Sequence, residues 1–249
     1  MDIQGKVAVV TGATGGLGQV ICHALAKQGA SVVIGYHSSQ TEAEKLLRQL
    51  QPVSKGHIIA HAPVTESDAL YALADHVEVV FGQCDILVNC AGMTRFVEHA
   101  RLDMLDDELI DAILKTNIRG PIAVCRAFQK LLNQSEAAII LNISSIAAKT
   151  AMGSNIAYCA SKAALDNLTV SLARALAPNI RVMSIAPGLT DTDFVKALDQ
   201  NWRDQQQQLT PLGRLAEPEE IAQAVVAAIR YLTFSTGMVI PVDGGRPIF

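Results

Sequence analysis

A short β-branched run, Lys6–Val10, ends at Thr11-Gly12 and gives way to a helical pattern from about Leu17 to Gln28. That unit, an apolar strand followed by a helix, recurs along the chain and limits the folds open to it more than any other feature. Gly29-Ala30 stops the first helix, and Ser31–Ile34 reads as the next buried strand. A polar, helix-favouring stretch from Gln40 to Gln51 leads to Gly56–Ala60, and a helix over Ser67–Phe81 precedes Asp85–Asn89. Further strands are expected at Ala137–Ile143, Ile180–Ile185 and Gly237–Val242, with helices near 106–132, 155–177 and 217–231. Strands apolar along their whole length are buried on both faces, as in a parallel sheet between two helical layers. Right-handed crossovers then make this α/β chain a doubly wound parallel sheet with helices on both faces.

No Pro/Gly/Ser-rich linker or charge block divides the 249 residues, half of which are hydrophobic, so residues 1–249 read as a single unit with a sizeable core. A net charge of −4 gives no broad attraction to nucleic acid or to an anionic membrane. No run of about 18 apolar residues is present, so no membrane span is expected. The start, Met1-Asp2-Ile3-Gln4-Gly5-Lys6, lacks the pattern of a signal peptide. The five cysteines, at 22, 84, 90, 125 and 159, form no Cys-x-x-Cys pair, so neither a zinc site nor a disulfide framework is expected. Free buried thiols suit a reducing cytoplasm, and a cytoplasmic location is the expectation.

Two features carry chemistry. The first is the turn Thr11-Gly12-Ala13-Thr14-Gly15-Gly16-Leu17-Gly18, where the first strand meets the first helix. Glycine lets backbone approach a ligand closely, and a helix start offers free N–H groups and the positive end of the dipole, which together suit pyrophosphate. The spacing Gly12-x3-Gly16-x-Gly18 differs from G-x-G-x-x-G, and no Lys-Ser/Thr follows as a P-loop requires. The second feature is Tyr158-x3-Lys162. On a helix this spacing puts both side chains on one face, one turn apart. A neighbouring ammonium favours the phenolate, so such a pair can serve as general acid and base for a carbonyl or an alcohol. Taken alone, the pair reads as an ordinary solvated helix surface.

Thr11-Gly12-x3-Gly16-x-Gly18, Asn89-Cys90-Ala91-Gly92, Asn117, Ser145, Tyr158-x3-Lys162 and Pro187-Gly188 together resemble the short-chain dehydrogenase/reductase family, in its order and over nearly the whole chain. The resemblance implies a single Rossmann-type domain with about seven strands and hydride transfer with a nicotinamide cofactor. The C-terminal half, with Thr210–Arg214, Glu217–Glu220 and Val242–Gly245, looks most like the 3-oxoacyl-(acyl-carrier-protein) reductases. By the resemblance, Ser145 would hydrogen-bond the substrate oxygen and Tyr158 would give it a proton. Lys162 would hold the nicotinamide ribose, and Asn117 would position a water that reconnects Lys162 to solvent. Gly12, Thr14, Gly16, Leu17 and Gly18 would cradle the pyrophosphate. Asn89 and Gly92 would line the adenosine ribose, and Pro187, Gly188, Thr190 and Thr192 would embrace the nicotinamide end, Thr190 through its backbone.

Two departures bear on the cofactor. Pro63 stands where the family usually has an aspartate before Val64, so adenine recognition falls to the Val64 backbone or to packing. The second strand ends in Ile34-Gly35-Tyr36-His37-Ser38-Ser39, without the carboxylate that repels a 2′-phosphate. His37, Ser38 and Thr14 can meet that phosphate, although Gly15 replaces the arginine frequent in the glycine turn. NADPH is therefore expected over NADH. Residues 193–215, with Trp202 and a glutamine run, are a candidate substrate lid. The leading substrate is a 3-oxoacyl thioester on an acyl-carrier protein. Arg126, Lys130, Arg174 and Arg181 are the cations near at hand for that acidic partner. A free sugar, polyol, steroid or other small alcohol or ketone is the alternative, and a non-catalytic cofactor-binding sensor a remote one. A homotetramer is implied by the resemblance.

Overall fold

The structure, a computed structural model, describes residues 1–246. The last three residues of the expected unit 1–249 lie outside them. The chain alternates β1 (Val7–Thr11), α1 (Gly16–Lys27), β2 (Ser31–Tyr36), α2 (Gln40–Gln49), β3 (Ile58–His61), α3 (Ser67–Phe81) and β4 (Ile86–Asn89). Then come α4 (Asp107–Leu114), a π-helical turn (Lys115–Arg119), α5 (Gly120–Gln134), β5 (Ala138–Ile143), α6 (Ala147–Thr150), α7 (Ile156–Leu176) and β6 (Ile180–Pro187). The described chain ends with α8 (Asp193–Lys196), α9 (Gln200–Gln208), α10 (Pro218–Arg230) and β7 (Val239–Val242).

Seven strands pair in the order β3-β2-β1-β4-β5-β6-β7, all parallel. The chain therefore starts in mid-sheet, winds outward to β3, and returns across β1 to build the other half. The expected doubly wound sheet with helices on both faces is what forms. Each face has its own core. Val10, Ile34, Ile86 and Ile139 pack under α1, α2 and α10, while Val9, Val33, Leu87 and Ile140 pack under α3 and α5. Alternate residues of one strand thus feed opposite layers, and each fully buried side chain of this size contributes about 1.5–3 kcal/mol.

The end of the sheet away from the glycine turn is fixed by one carboxylate. Asp85, 1% exposed, accepts hydrogen bonds from the Val7 amide (2.8 Å), Gln83 (2.7 Å), Ser135 (2.6 Å) and Lys6 (3.3 Å). A buried charge is tolerated only when so fully satisfied. The same residue ties the starts of β1 and β4 to the turn before β5. At the opposite end, β1 and β4 diverge toward different crossovers, which is where doubly wound sheets open a ligand crevice.

Candidate active site

The glycine turn is shaped by exclusion. Gly12 has φ +63°, and a Cβ there would lie 2.7 Å from the Cα of Ala91; one at Gly18 would lie 2.3 Å from the Gly12 carbonyl. Both positions need glycine, because backbone following β4 fills the side-chain space at Gly12 and the turn's own backbone fills it at Gly18. Helix α1 starts at Gly16 with no side-chain cap and no acidic residue in its first turn. Its first N–H groups have no partner within the helix, and they lie at the positive end of its dipole. The cradle fits a pyrophosphate, which Gly12, Gly16, Leu17 and Gly18 would hold through backbone, with Thr14 beside them. Gln19 Nε2 donates to the Thr14 carbonyl at 2.8 Å and fixes the turn.

Thr11 joins this turn to the other half of the sheet. Its buried hydroxyl accepts hydrogen bonds from the Cys90 and Ala91 amides, each at 3.2 Å. Asn89 lies on that same stretch but turns inward. Its amide donates to Asn142 Oδ1 (2.8 Å), and Asn142 donates to Thr169 on α7 (2.9 Å). With its side chain so committed, Asn89 has only its main chain left for a ribose. At 3% exposure it braces β4 against β5 and α7. Gly92 instead opens onto the site, a Cβ there lying 3.5 Å from Asn117 Oδ1 and 3.8 Å from Lys162 Nζ. Val64 is buried against Gly120, which leaves mainly its backbone for an adenine.

Helix α7 carries Tyr158 and Lys162. Its start is set by Asn155, whose side chain accepts from the Tyr158 amide (2.7 Å) while donating to the Arg95 carbonyl (2.7 Å) and to Thr94 (3.2 Å). A buried N-cap three residues ahead thus fixes both the tyrosine and the loop across from it. Sequence reasoning passed over Asn155, although an asparagine at a helix start is a readable signal. Lys162, 6% exposed, donates to the Ile143 carbonyl (2.8 Å) and holds its ammonium 5.6 Å from the Tyr158 ring centre. Ser145 follows two residues after Ile143, and its Oγ accepts from the Ala147 amide (3.1 Å). Gly153 packs between these parts: a Cβ there would lie 3.1 Å from both Ala147 and the Tyr158 ring.

Asn117 sits in the π-helical turn between α4 and α5, a backbone irregularity that recurs at functional sites. Its side chain accepts from the Met93 amide (2.9 Å) and donates to the Met93 carbonyl (3.1 Å) and to Ser161 (3.0 Å). Ser161 in turn donates to the Tyr158 carbonyl at 2.7 Å. With the side chain so engaged, any water held by Asn117 falls to its main chain.

On the far side, Pro187 accepts from the Ile146 amide (3.0 Å), and the Gly188 amide donates to Val242 (2.8 Å). The Thr190 hydroxyl donates to the Gly188 carbonyl (3.2 Å), and the Thr190 carbonyl accepts from the Thr192 amide (2.8 Å). Thr192 closes on the glycine turn, its Cγ2 lying 3.3 Å from where a Gly16 Cβ would be. Helix α9 is clamped to this loop by an Arg203–Asp191 ion pair at 2.6 Å and at its other end by Arg246, which donates to Gln206 at 2.6 Å. His37 and Ser38 are exposed beyond β2. Of the cations considered for an acidic partner, Arg181 is half-buried and donates to the Leu232 carbonyl (2.8 Å), while Lys130 pairs with Glu78 (2.9 Å). Arg174 is exposed, and Arg126 donates to Ser67 at 3.1 Å. Arg181 is thereby removed from the candidates.

A family model described as Enoyl-(Acyl carrier protein) reductase matches residues 12–246. The 3-oxoacyl-(acyl-carrier-protein) reductase FabG of Pseudomonas aeruginosa is 35% identical, with 98% of each chain covered. A cis-4-hydroxycyclohexanecarboxylate dehydrogenase of Sinomonas cyclohexanicum is 34% identical, with 96% of each chain covered. The crystal structure of a gluconate 5-dehydrogenase from Burkholderia cenocepacia, in complex with NADP and tartrate, superposes with a TM-score of 0.89 at 27% identity, covering 99% of this chain and 96% of that one.

Proposed function

The chain belongs to the short-chain dehydrogenase/reductase family, and from that premise we propose that it reduces a carrier-protein-bound 3-oxoacyl thioester to the 3-hydroxyacyl form with NADPH. The reading belongs to fatty-acid or polyketide-type synthesis in the cytoplasm. The observation that carries it is Lys162, buried, bonded to the Ile143 carbonyl beside Ser145 and held 5.6 Å from the Tyr158 ring. The glycine turn and Lys162 would hold a reduced nicotinamide nucleotide, which would supply a hydride to the carbonyl carbon. Ser145 donates a hydrogen bond to the substrate oxygen, and Tyr158 delivers its hydroxyl proton to that oxygen as charge develops there. Lys162 keeps two ammonium hydrogens beyond the one given to Ile143, enough to meet both the tyrosine oxygen and a ribose hydroxyl. The Asn117 main chain holds the water through which the proton is replaced.

A second reading, reduction or oxidation of a free small alcohol or ketone, is favoured by the likeness to the gluconate and hydroxycyclohexanecarboxylate dehydrogenases and by the engagement of Arg181 and Lys130 within the protein. The two are separated by following NADPH oxidation with an acetoacetyl thioester on acyl-carrier protein, on pantetheine, and with free ketones. The carrier-bound substrate should show the highest kcat/KM. Equal efficiency on carrier and pantetheine would remove the carrier protein as partner, and no turnover on any carbonyl with cofactor bound would favour the sensor. The homotetramer remains part of the proposal, supported by apolar side chains left exposed at Ile122 on α5, at Val170 on α7, and at Tyr231 and Phe234 between α10 and β7.

A further inference from the structure

Beyond the residues considered so far, the edge strand β3 brings a second histidine to the end of β2. Tyr36 and His61 are register partners across β2 and β3, and the ladder continues one step further through the Ala62 amide, which donates to the Tyr36 carbonyl at 2.7 Å. Paired residues of parallel strands project from the same face, so His61 stands beside Tyr36 rather than across the sheet from it. The ring centres of Tyr36 and His61 are 5.7 Å apart, and the imidazoles of His37 and His61 lie nearly parallel, 10° between planes and 6.4 Å between centres. Both histidines are exposed.

The surroundings favour an anion. Helix α2 begins next to this cluster at Ser39, which makes no side-chain cap, so its first N–H groups point outward unpaired. The acidic residue in its first turn, Glu42, is held in an ion pair with Lys45 at 2.7 Å. The Tyr36 hydroxyl is engaged with Gln40 Oε1 at 3.2 Å, leaving the imidazoles as the side-chain ring donors of the cluster. On the other side, the Ala13 amide donates to the Gly35 carbonyl (2.9 Å), which fixes the end of β2 against the glycine turn.

We propose that His61, stacked over His37 from the neighbouring strand, is a specificity-determining residue that grips the 2′-phosphate of NADPH. The pair takes over what Gly15 cannot do, since glycine offers the phosphate no side-chain cation. One imidazole comes from the strand that ends at the adenosine and the other from the edge strand, so two fixed backbones present ring N–H donors without a long flexible arm. The inference rests on the NADPH reading above.

The test is isothermal titration of 2′,5′-ADP and of 5′-AMP, nucleotides that differ only in the 2′-phosphate, into the full chain and into His61→Ala and His37→Ala. The wild type should bind 2′,5′-ADP more tightly. His61→Ala should lose about ten-fold in that affinity, the size of one hydrogen bond to a charged group, with 5′-AMP affinity unchanged. The His61 imidazole resonances should shift on adding 2′,5′-ADP and stay in place with 5′-AMP. A wild type that binds both nucleotides equally overturns the NADPH reading and this inference with it. A wild-type preference that His61→Ala retains in full overturns the inference alone.

Discussion

Tyr158 spends its backbone on Asn155 and Ser161 and its ring on packing against Gly153, so its hydroxyl is the part left for chemistry. Tyr158→Phe keeps the ring and removes only that group. Fluorescence titration should find NADPH bound as before, while kcat falls by about 10²–10⁴-fold, the usual contribution of a positioned acid. Retained turnover in this variant would overturn the assigned mechanism. The Tyr158/Lys162 pair was legible in the sequence because a four-residue helical spacing fixes which side chains share a face. Asn89 and Asn117 were legible only as positions. Nothing in an asparagine's neighbours along the chain says whether its amide points at a ligand or at Met93 and Asn142, since those partners arrive from other elements.

Among the elements, the strands and long helices follow from apolar runs and helical periodicity, and most boundaries fall within two residues of expectation. The expected helix 106–132 is interrupted by the π-helical turn at Lys115–Arg119, which hydrophobic spacing cannot reveal because the widened turn leaves the apolar face continuous. Short helices α6, α8 and α9 also went unread, being too brief or too polar to show a period. Helix α9 lies in the expected lid and depends on Arg203, whose partner Asp191 sits one residue before Thr192. We expect Arg203→Ala to raise the KM for the carbonyl substrate about ten-fold, roughly 1.4 kcal/mol or one partly buried hydrogen bond, with little change in Tm. A KM equal to wild type would show that the ion pair plays no part in holding substrate.

At the scale of the whole molecule, two packed layers bury four of the five thiols, those of Cys22, Cys84, Cys125 and Cys159, and leave Cys90 partly exposed. Burial pushes the Cys90 and Cys125 thiols up to about 11 and raises those of Cys22, Cys84 and Cys159. A thiol kept protonated and enclosed reacts only when the structure opens. Iodoacetamide at pH 8 should therefore label the four buried thiols only at the unfolding rate, followed by mass spectrometry, and one of these four labelled within minutes would place a local opening at that element. Among the described residues, no helix is long and apolar enough to cross a membrane. The fold was legible as a whole because a chain that alternates buried strands with helices has few ways to wind. One consequence follows from where the loop after β6 leaves the sheet. Every group assigned to the proton lies before Pro187, and the segment proposed to enclose the substrate comes after Thr192. On that proposal reactivity and selectivity sit on separate stretches of polypeptide, and exchanging residues 193–215 should change the substrate accepted while the catalyst stays as it was.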